Sequence, residues 1–254
     1  MTPKALIFDV DGTLADTERD GHRVAFNQAF TEAGLDWHWD VALYGELLAV
    51  TGGKERMRYY VEQYLPGYTK PPDFDALVTR LHAAKTCHYT TLLGRGRIPL
   101  RPGVRRLLDE ARHHGVRLAI ATTTTPDNVT ALLRYAISPE AESWFEVIGA
   151  GDIVAKKKPA PDIYHFVLER LHLSPAQCLA FEDSENGLQA ARAAGLKTVI
   201  TVNDFTRTHD FRGASLVLDQ LGEPGRPFQV LTGAVIDGTT VLDLNALGHL
   251  LTGA

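Results

Sequence analysis

Cysteine is scarce in this chain: Cys87 and Cys178 are the only two among 254 residues. Each lies in an apolar periodic segment, so we expect free thiols in a reducing compartment rather than a disulfide. No stretch approaches the ~18 consecutive apolar residues of a membrane span. We also recognise no signal or transit peptide before the strand-like run that begins at Lys4. These absences predict a soluble, cytoplasmic protein with no membrane partner.

An excess of basic residues is missing as well, since 26 Lys and Arg stand against 31 Asp and Glu, for a net charge of -5. This balance argues against bulk binding to nucleic acid, so an anionic ligand would need a local cationic pocket. Hydrophobic residues make up 44% of the chain, which is enough for a packed core. The length suits one large domain or one domain with an insert.

Short apolar runs alternate with helical patterns along most of the chain. The runs occur at 4–8, 116–121, 146–149, 178–181, 197–201 and 215–218. They are rich in Val, Ile, Leu and Ala, as expected of parallel strands that are covered on both faces. The alternation predicts an α/β fold with a doubly wound parallel sheet, whose ligand site lies at the carboxyl ends of the strands.

One interval breaks this alternation. Residues 17–96 contain only helical patterns, separated by breakers such as Thr51-Gly52-Gly53 and Pro66-Gly67. We therefore predict an inserted α-helical cap domain at 17–96 and an α/β catalytic core formed by residues 1–16 and 97–225.

The remaining residues, 226–254, are predicted to form a separate C-terminal extension. Their run AVIDGTTVLDL predicts a small hairpin that turns at Asp237-Gly238. We assign this extension to packing and expect no chemistry from it.

Two acidic pairs follow predicted strands. Asp9 and Asp11 end the first strand, in FDVDGT, and Glu182-Asp183 follows the run at 178–181. A lone D-x-D is more often a turn or a helix cap. If the two strands are neighbours, however, up to four carboxylates converge, and Mg²⁺ is the usual cation for such oxygen ligands.

Two further strand ends offer groups that can hold an anion. Thr122-Thr123-Thr124-Thr125 stands at the entrance to a predicted helix, where the hydroxyls can cap the helix or cradle a phosphate. Lys158, stiffened by the following Pro159, is our candidate for pointing inward. Lys156 and Lys157 are predicted to belong to a solvated face.

These segments together resemble the four ordered motifs of the haloacid dehalogenase superfamily. They are DVDGTLADTE, the strand end at Thr122, KKPAPDIY and FEDSENGLQAARAAG. The resemblance covers about residues 4 to 202 and is closest to the phosphatase and sugar-phosphate mutase branch. It implies that Asp9 is the nucleophile that forms an aspartyl-phosphate, and that Asp11 is the general acid and then the base. Thr122 and Lys158 would hold the transferring phosphoryl group.

The same resemblance implies a metal site. Asp9, the main-chain carbonyl of Asp11 and Asp183 would bind Mg²⁺, with Glu182 in or near the coordination shell. Phosphoryl transfer depends mainly on positioning and on charge neutralisation, which a metal, a lysine and hydroxyls provide.

The predicted cap is similar to that of CbbY-type enzymes, a likeness carried by DGHRVAFN, by WHWDVALYGELLAVTGGKER and by LHAAKTCHYTTLL. This narrower resemblance implies hydrolysis of xylulose 1,5-bisphosphate, an inhibitor of Rubisco, to xylulose 5-phosphate. A bisphosphate needs a second anion site away from Mg²⁺. The candidate substrate-binding residues are Glu18, His22, Tyr44, Gly52, Gly53, Lys54, Arg56, Lys85, Thr123 and Thr124. His22 and Tyr44 lie on amphipathic helices, where a packing role is the alternative.

Two other functions use the same pattern. A β-phosphoglucomutase-like mutase would share the core and return the phosphoryl group to a sugar, but the TGGKER string favours the phosphatase. A non-catalytic phosphosugar sensor would be free to lose Asp9, Asp11, Lys158 or Asp183, and all four are present. We therefore expect a monomeric, Mg²⁺-dependent phosphatase that acts on a small sugar bisphosphate.

Overall fold

A single seven-stranded sheet organises the residues that the computed structural model describes, 2–96, 98–235 and 238–253. Its strands are β1 (Ala5–Phe8), β2 (Arg117–Ala121), β3 (Phe145–Gly149), β4 (Cys178–Glu182), β5 (Lys197–Thr201), β6 (Leu216–Leu218) and β7 (Val230–Thr232). Their order is β3-β2-β1-β4-β5-β6-β7, and only the β6–β7 pair is antiparallel. The predicted doubly wound α/β fold is confirmed.

Helices cover both faces of this sheet and build the inserted segment. They are α1 (Arg23–Glu32), α2 (Val41–Leu47), α3 (Gly53–Tyr64), α4 (Phe74–Gly94), α5 (Val104–His113), α6 (Pro126–Leu132), α7 (Asp162–Leu171), α8 (Glu185–Ala193) and α9 (Leu244–Thr252). Among the described residues, none of these helices is long and apolar enough to cross a membrane.

The order of the sheet decides where chemistry can occur. β1 lies between β2 and β4, and all four of its residues are buried because helices cover both faces. The segments that follow β1, β2 and β4 therefore leave the sheet side by side, at its carboxyl edge.

Helices α1 to α4 have a hydrophobic core of their own. Its centre is Trp39, whose ring centroid lies 4.7 Å from that of Phe26 and 4.9 Å from that of Phe30. Residues 17–96 contain no strand, and we retain the cap boundaries as a proposal. The two joints of this segment lie together, because Ala15 forms a β-bridge with Leu100 and Arg101 N donates to Leu14 O at 2.9 Å.

The C-terminal extension contributes β7 to the sheet edge and then forms α9, which the sequence patterns above do not predict. Asp243 caps α9 by accepting a hydrogen bond from Ala246 N at 2.8 Å, and Leu247 is fully buried. The predicted turn at Asp237-Gly238 includes residue 237, which lies outside the described residues.

Candidate active site

Three acidic side chains converge where β1 and β4 end. Asp9 follows β1, Glu182 is the last residue of β4, and Asp183 comes next in the chain. One carboxylate oxygen from each lies within 4.8 Å of the others, and all three residues are buried. The structure thus brings together three of the four acids that the strand ends suggested.

Two glycines make room for this acid cluster, which we define as Asp9, Glu182 and Asp183. Gly12 has φ +79°, and a Cβ at this position would collide with the Asp183 carboxylate. A Cβ at Gly187, in the first turn of α8, would collide with the Glu182 carboxylate. Both positions therefore require glycine for close approach, and Gly12 requires it for backbone conformation as well.

Lys158 is the cation inside the acid cluster. Its Nζ donates to Asp9 Oδ1 at 2.7 Å, to Glu182 Oε1 at 2.5 Å and to the Ala121 carbonyl at 2.8 Å. Burial alone would lower the pKa of Lys158, but Asp9 and Glu182 raise it above its usual range. The inward direction that we predicted for this side chain agrees with its position, and it stays protonated.

One lysine does not balance three buried carboxylates. Burial raises the pKa of Asp9 to about 8 even though Lys158 opposes the shift. Burial, followed by the charges of Asp9 and Glu182, also raises the pKa of Asp183 well above its usual range. Glu182 Oε2 is buried with no hydrogen-bond partner in the described part of the chain. Excess negative charge, hard oxygen donors and this free acceptor together fit a divalent cation such as Mg²⁺.

The side chain of Asp11 turns away from the acid cluster and towards the inserted helices. Its Oδ1 accepts a hydrogen bond from Thr17 Oγ1 at 2.5 Å and lies 2.7 Å from His22 Nε2. Burial alone would raise the pKa of Asp11, but His22 and the hydrogen bonds from His22 and Thr17 hold it well below its usual range. The suggested fourth carboxylate is thus held apart, in a setting suited to proton transfer.

Three of the predicted substrate-binding residues form one hydrogen-bonded group. The Tyr44 hydroxyl donates to Glu18 Oε2, and Arg56 Nη1 donates to the Tyr44 hydroxyl at 2.9 Å. Arg56 Nη1 also lies 4.0 Å from Glu18 Oε2, and Arg56 is only 7% exposed. A buried guanidinium beside a cavity is a strong local site for an anion.

Lys85 adds a second cation on the same side. Its Nζ lies 5.2 Å from the centroid of the Phe26 ring and 5.1 Å from that of the Tyr89 ring. Burial lowers the pKa of Lys85 to about 8, although Asp11 and Glu18 oppose the shift. Lys85 is therefore still largely protonated at neutral pH.

A cavity of about 270 Å³ lies between the acid cluster and α2–α3. Its wall includes Asp9, Asp11, Thr122, Thr123, Lys158 and Asp183 from the core and Glu18, Gly52 and Arg56 from the inserted segment. A smaller recess of about 50 Å³ adds His22, Gly53, Lys85 and Thr124 to the wall. The two spaces share Asp11, Glu18, Gly52, Arg56 and Thr123, so they border the same site. Cationic groups stand at both of its ends.

Lys54, also predicted to bind substrate, lines neither the cavity nor the recess. Its Nζ lies 2.8 Å from Asp152 Oδ2. Lys157, predicted to face solvent, contacts Asp152 Oδ1 at 3.0 Å and Glu55 at 3.2 Å. These four residues form an ionic bridge between the start of α3 and the loop after β3, and the substrate role of Lys54 stays a prediction.

Several polar residues contact the site although the sequence analysis assigned them no role; Tyr164 ends the KKPAPDIY motif, whereas Asn203 and Arg101 lie outside the recognised motifs. Asn203 Nδ2 donates to Asp183 Oδ2 at 2.7 Å, and the Tyr164 hydroxyl donates to Glu182 Oε1. The Arg101 guanidinium donates to the carbonyls of Gly12, Thr201, Val202 and Asp219. The one available signal was position, because Asn203 is the first polar side chain after the run at 197–201.

Comparisons with known proteins agree with this geometry. A family model described as haloacid dehalogenase-like hydrolase matches residues 3–195. The chain is 49% identical to plasmid protein CbbY from Cupriavidus necator over 247 residues, which is 97% of each chain. It is 53% identical to protein CbbY from Rhodobacter capsulatus, over 84% of this chain and 92% of that protein.

A solved structure supports the same relationship. CbbY from Rhodobacter sphaeroides in complex with phosphate superimposes with a TM-score of 0.79 at 44% identity, covering 86% of this chain and 94% of that one. A mutant of that protein, solved with xylulose 1,5-bisphosphate, gives the same values. The chain, a phosphatase, therefore belongs to the haloacid dehalogenase-like hydrolases and, within them, to the CbbY proteins.

Proposed function

We propose that this chain is a Mg²⁺-dependent phosphatase that hydrolyses xylulose 1,5-bisphosphate to xylulose 5-phosphate and so removes a Rubisco inhibitor. The observation that carries the proposal is a site with cations at both ends. Lys158 stands beside Asp9 at one end, and Arg56 and Lys85 stand at the other. A molecule with one phosphate at each end matches this charge distribution. The bound sugar bisphosphate in the Rhodobacter sphaeroides relative supports the same substrate class.

Asp9, Asp183 and the main-chain carbonyl of Asp11 would hold Mg²⁺, with Glu182 in or beside the shell. When bound, the cation supplies positive charge that neutralises the phosphoryl oxygens and favours the ionised form of the carboxylates. Lys158 and Thr122 would hold the same phosphoryl group from the protein side. Lys158 is well placed for this, because it is buried and is already oriented by Asp9 and Glu182.

In the first chemical step, a carboxylate oxygen of Asp9 attacks phosphorus and the bond from phosphorus to the sugar oxygen breaks. Asp11 donates the proton that the departing sugar oxygen needs. Its carboxylate is oriented for this transfer by Thr17 and His22, on the side of the cavity where the sugar would lie. The products are an aspartyl-phosphate on Asp9 and the free sugar phosphate.

In the second step, water attacks the phosphorus of the aspartyl-phosphate. Asp11, now ionised, accepts a proton from that water, and the bond between phosphorus and Asp9 breaks to release inorganic phosphate. The proton that Asp11 takes from water is the one that it donates to the departing sugar oxygen in the next turnover, so the cycle closes without a net proton change at this residue. The acyl phosphate thus splits one difficult displacement into two easier ones.

The sugar would be recognised by the group formed by Glu18, Tyr44 and Arg56. Glu18 would offer oxygen atoms to sugar hydroxyls, and Arg56 would offer N–H groups to the distal phosphate. Tyr44 is fully buried and lines neither space, so its proposed part is to hold Glu18 and Arg56 in place. His22, Gly52, Gly53, Lys85, Thr123 and Thr124 border the same space. Because His22, Arg56 and Lys85 are buried, their contacts with an anion are less screened than contacts at the surface.

The proposal is tested by measuring phosphate release from xylulose 1,5-bisphosphate, ribulose 1,5-bisphosphate and β-glucose 1-phosphate, each with and without Mg²⁺. We expect Mg²⁺-dependent release and a strong preference for the xylulose compound. Slow release from all three would contradict the substrate but keep the phosphatase. Conversion of glucose 1-phosphate to its 6-phosphate in the presence of a bisphosphate primer would identify a mutase instead.

A further inference from the structure

Among the described residues, Phe205 is the side chain of the α/β core that packs into the hydrophobic cluster of α1–α4. It belongs to the loop after β5, and it also lines the main cavity. We propose that Phe205, fixed by Asn203, is a positioning residue that seats α2 over the acid cluster and thereby sets the enzyme's selectivity for its sugar phosphate. This inference rests on the proposed function, because selectivity is measured with that substrate.

The contact between Phe205 and α2 is close and directional. The ring of Phe205 stands edge-on to the ring of Tyr44, with 6.1 Å between the centroids and 71° between the planes. At the next residue of α2, a Cβ on Gly45 would lie 3.2 Å from the Phe205 ring. A side chain at position 45 would therefore require the Phe205 ring or the helix to shift by a few tenths of an ångström, so glycine favours the observed close contact.

Two residues before Phe205, the side chain of Asn203 ties the start of the loop to the acid cluster. Asn203 Nδ2 donates to Asp183 Oδ2 at 2.7 Å, while its Oδ1 accepts from Phe205 N at 2.9 Å. Thr206 Oγ1 accepts from Asn203 N at 3.0 Å and closes the turn. The amide of Asn203 thus fixes the backbone of Phe205 relative to Asp183.

These contacts make Tyr44 sensitive to Phe205. The Tyr44 hydroxyl is bonded to both Glu18 and Arg56, so a shift of its ring would move the groups proposed to read the sugar and the distal phosphate. A displacement of 1 Å in such groups is enough to weaken catalysis by about 100-fold. The Phe205 side chain has no polar atom and takes no part in phosphoryl transfer, so we assign its effect to substrate positioning.

The test compares Phe205→Ala and Phe205→Leu with a matched control, Phe211→Ala. Phe211 lies further along the same loop but packs against the core cluster that contains Leu188, Ile200 and Val217. For Phe205→Ala we expect kcat/KM for xylulose 1,5-bisphosphate to fall by about 10-fold or more, mainly through KM. The value for para-nitrophenyl phosphate, which has no sugar and no second phosphate, should change less than about 3-fold. Phe205→Leu should fall between Ala and the wild type, and Phe211→Ala should keep the wild-type ratio of the two substrates.

A second readout does not depend on the substrate. Limited proteolysis between the inserted segment and the core should be about 5-fold faster or more in Phe205→Ala than in Phe211→Ala. Without the contact between Phe205 and α2, the inserted segment should separate locally from the core more easily. Equal cleavage of the two variants, or an unchanged substrate ratio in Phe205→Ala, would overturn the inference. A wild-type enzyme with no preference for the bisphosphate would instead contradict the proposed function, and the proteolysis comparison would then decide the inference.

Discussion

The Nζ atom of Lys158 lies 2.7 Å from Oδ1 of Asp9, although 149 positions separate these residues in the chain. The contact places a fixed positive charge beside the carboxylate that is proposed to attack phosphorus. It also leaves Asp183 without a cationic partner within salt-bridge distance among the described residues. The negative charge of the acid cluster therefore exceeds the positive charge of Lys158, and a bound phosphate would increase that excess. A divalent cation, as proposed, would offset this negative charge and allow the acids and a phosphate to share the space.

Asp9→Asn should abolish turnover and keep the fold. The amide cannot act as the nucleophile, so we expect kcat to fall by about 1,000-fold or more. Phosphate release should be measured alongside the circular dichroism spectrum and melting temperature. The control is Asp127→Asn, which changes an exposed aspartate at the start of α6. Appreciable residual turnover in Asp9→Asn would remove Asp9 as the nucleophile.

Asp183→Asn should weaken the response to Mg²⁺. Binding of a ligand to the folded state raises the free energy of unfolding, so the melting temperature reports Mg²⁺ affinity without any substrate. Loss of even an outer-shell partner costs about 10- to 100-fold in metal affinity, and we expect at least this shift in the half-maximal Mg²⁺ concentration. Glu169→Gln, at an exposed position on α7, is the matched control. If Asp183→Asn kept the wild-type titration, the acid cluster would not be the metal site.

Much of the fold and the acid cluster could be predicted because both follow from local patterns. Continuous apolar runs mark buried parallel strands, and the acids that follow β1 and β4 must meet once these strands are neighbours. Neighbouring strands bring their ends together whatever the intervening sequence does. The inward direction of Lys158 could be predicted from a different signal, the stiffening of the chain by the following Pro159.

The unpredicted features depend on contacts between distant segments. Lys54 pairs with Asp152, which is 98 positions away in the chain. The sequence pattern of polar and apolar residues does not indicate which surface charges form a pair. Asn203 stands in a loop whose shape is set by hydrogen bonds to Asp183 and to its own neighbours. The direction of the Asp11 side chain likewise depends on Thr17 and His22, which the fold brings to it.

Arg56→Ala should affect a bisphosphate far more than a small ester. A hydrogen bond to a charged group contributes about 1.5–3 kcal/mol, so KM for xylulose 1,5-bisphosphate should rise by about 10- to 100-fold. Hydrolysis of para-nitrophenyl phosphate should change little, because that molecule has no second phosphate. Arg58→Ala is the control, since Arg58 lies on the same helix and pairs with Asp75 at the surface. Equal losses on both substrates would show that Arg56 does not bind the distal phosphate.

Lys54→Met should have a small effect if its role is the ionic bridge. Pairs at partly exposed positions contribute about 0.2–1 kcal/mol, so we expect KM for the bisphosphate to change by less than about 5-fold. Asp152→Asn also removes the contact with Lys157, so its change should be at least as large. The double variant should be no worse than Asp152→Asn alone, because both changes remove the contact between Lys54 and Asp152. A large rise in KM that is confined to Lys54→Met would instead restore Lys54 to the substrate site.

The pH dependence of substrate binding should reveal Lys85. Burial lowers its pKa to about 8 from the usual 10.5, so in the folded protein the ammonium loses its proton as the pH rises through about 8. An anion binds the protonated form, and KM for the bisphosphate should therefore be constant below this pH and rise above it, approaching about tenfold per pH unit. In Lys85→Gln, KM should be higher at neutral pH and should lose this rise, which separates Lys85 from groups that titrate elsewhere. A wild-type KM that stays flat to pH 9.5, about 1.5 units above the shifted pKa, would show that Lys85 does not contact the substrate.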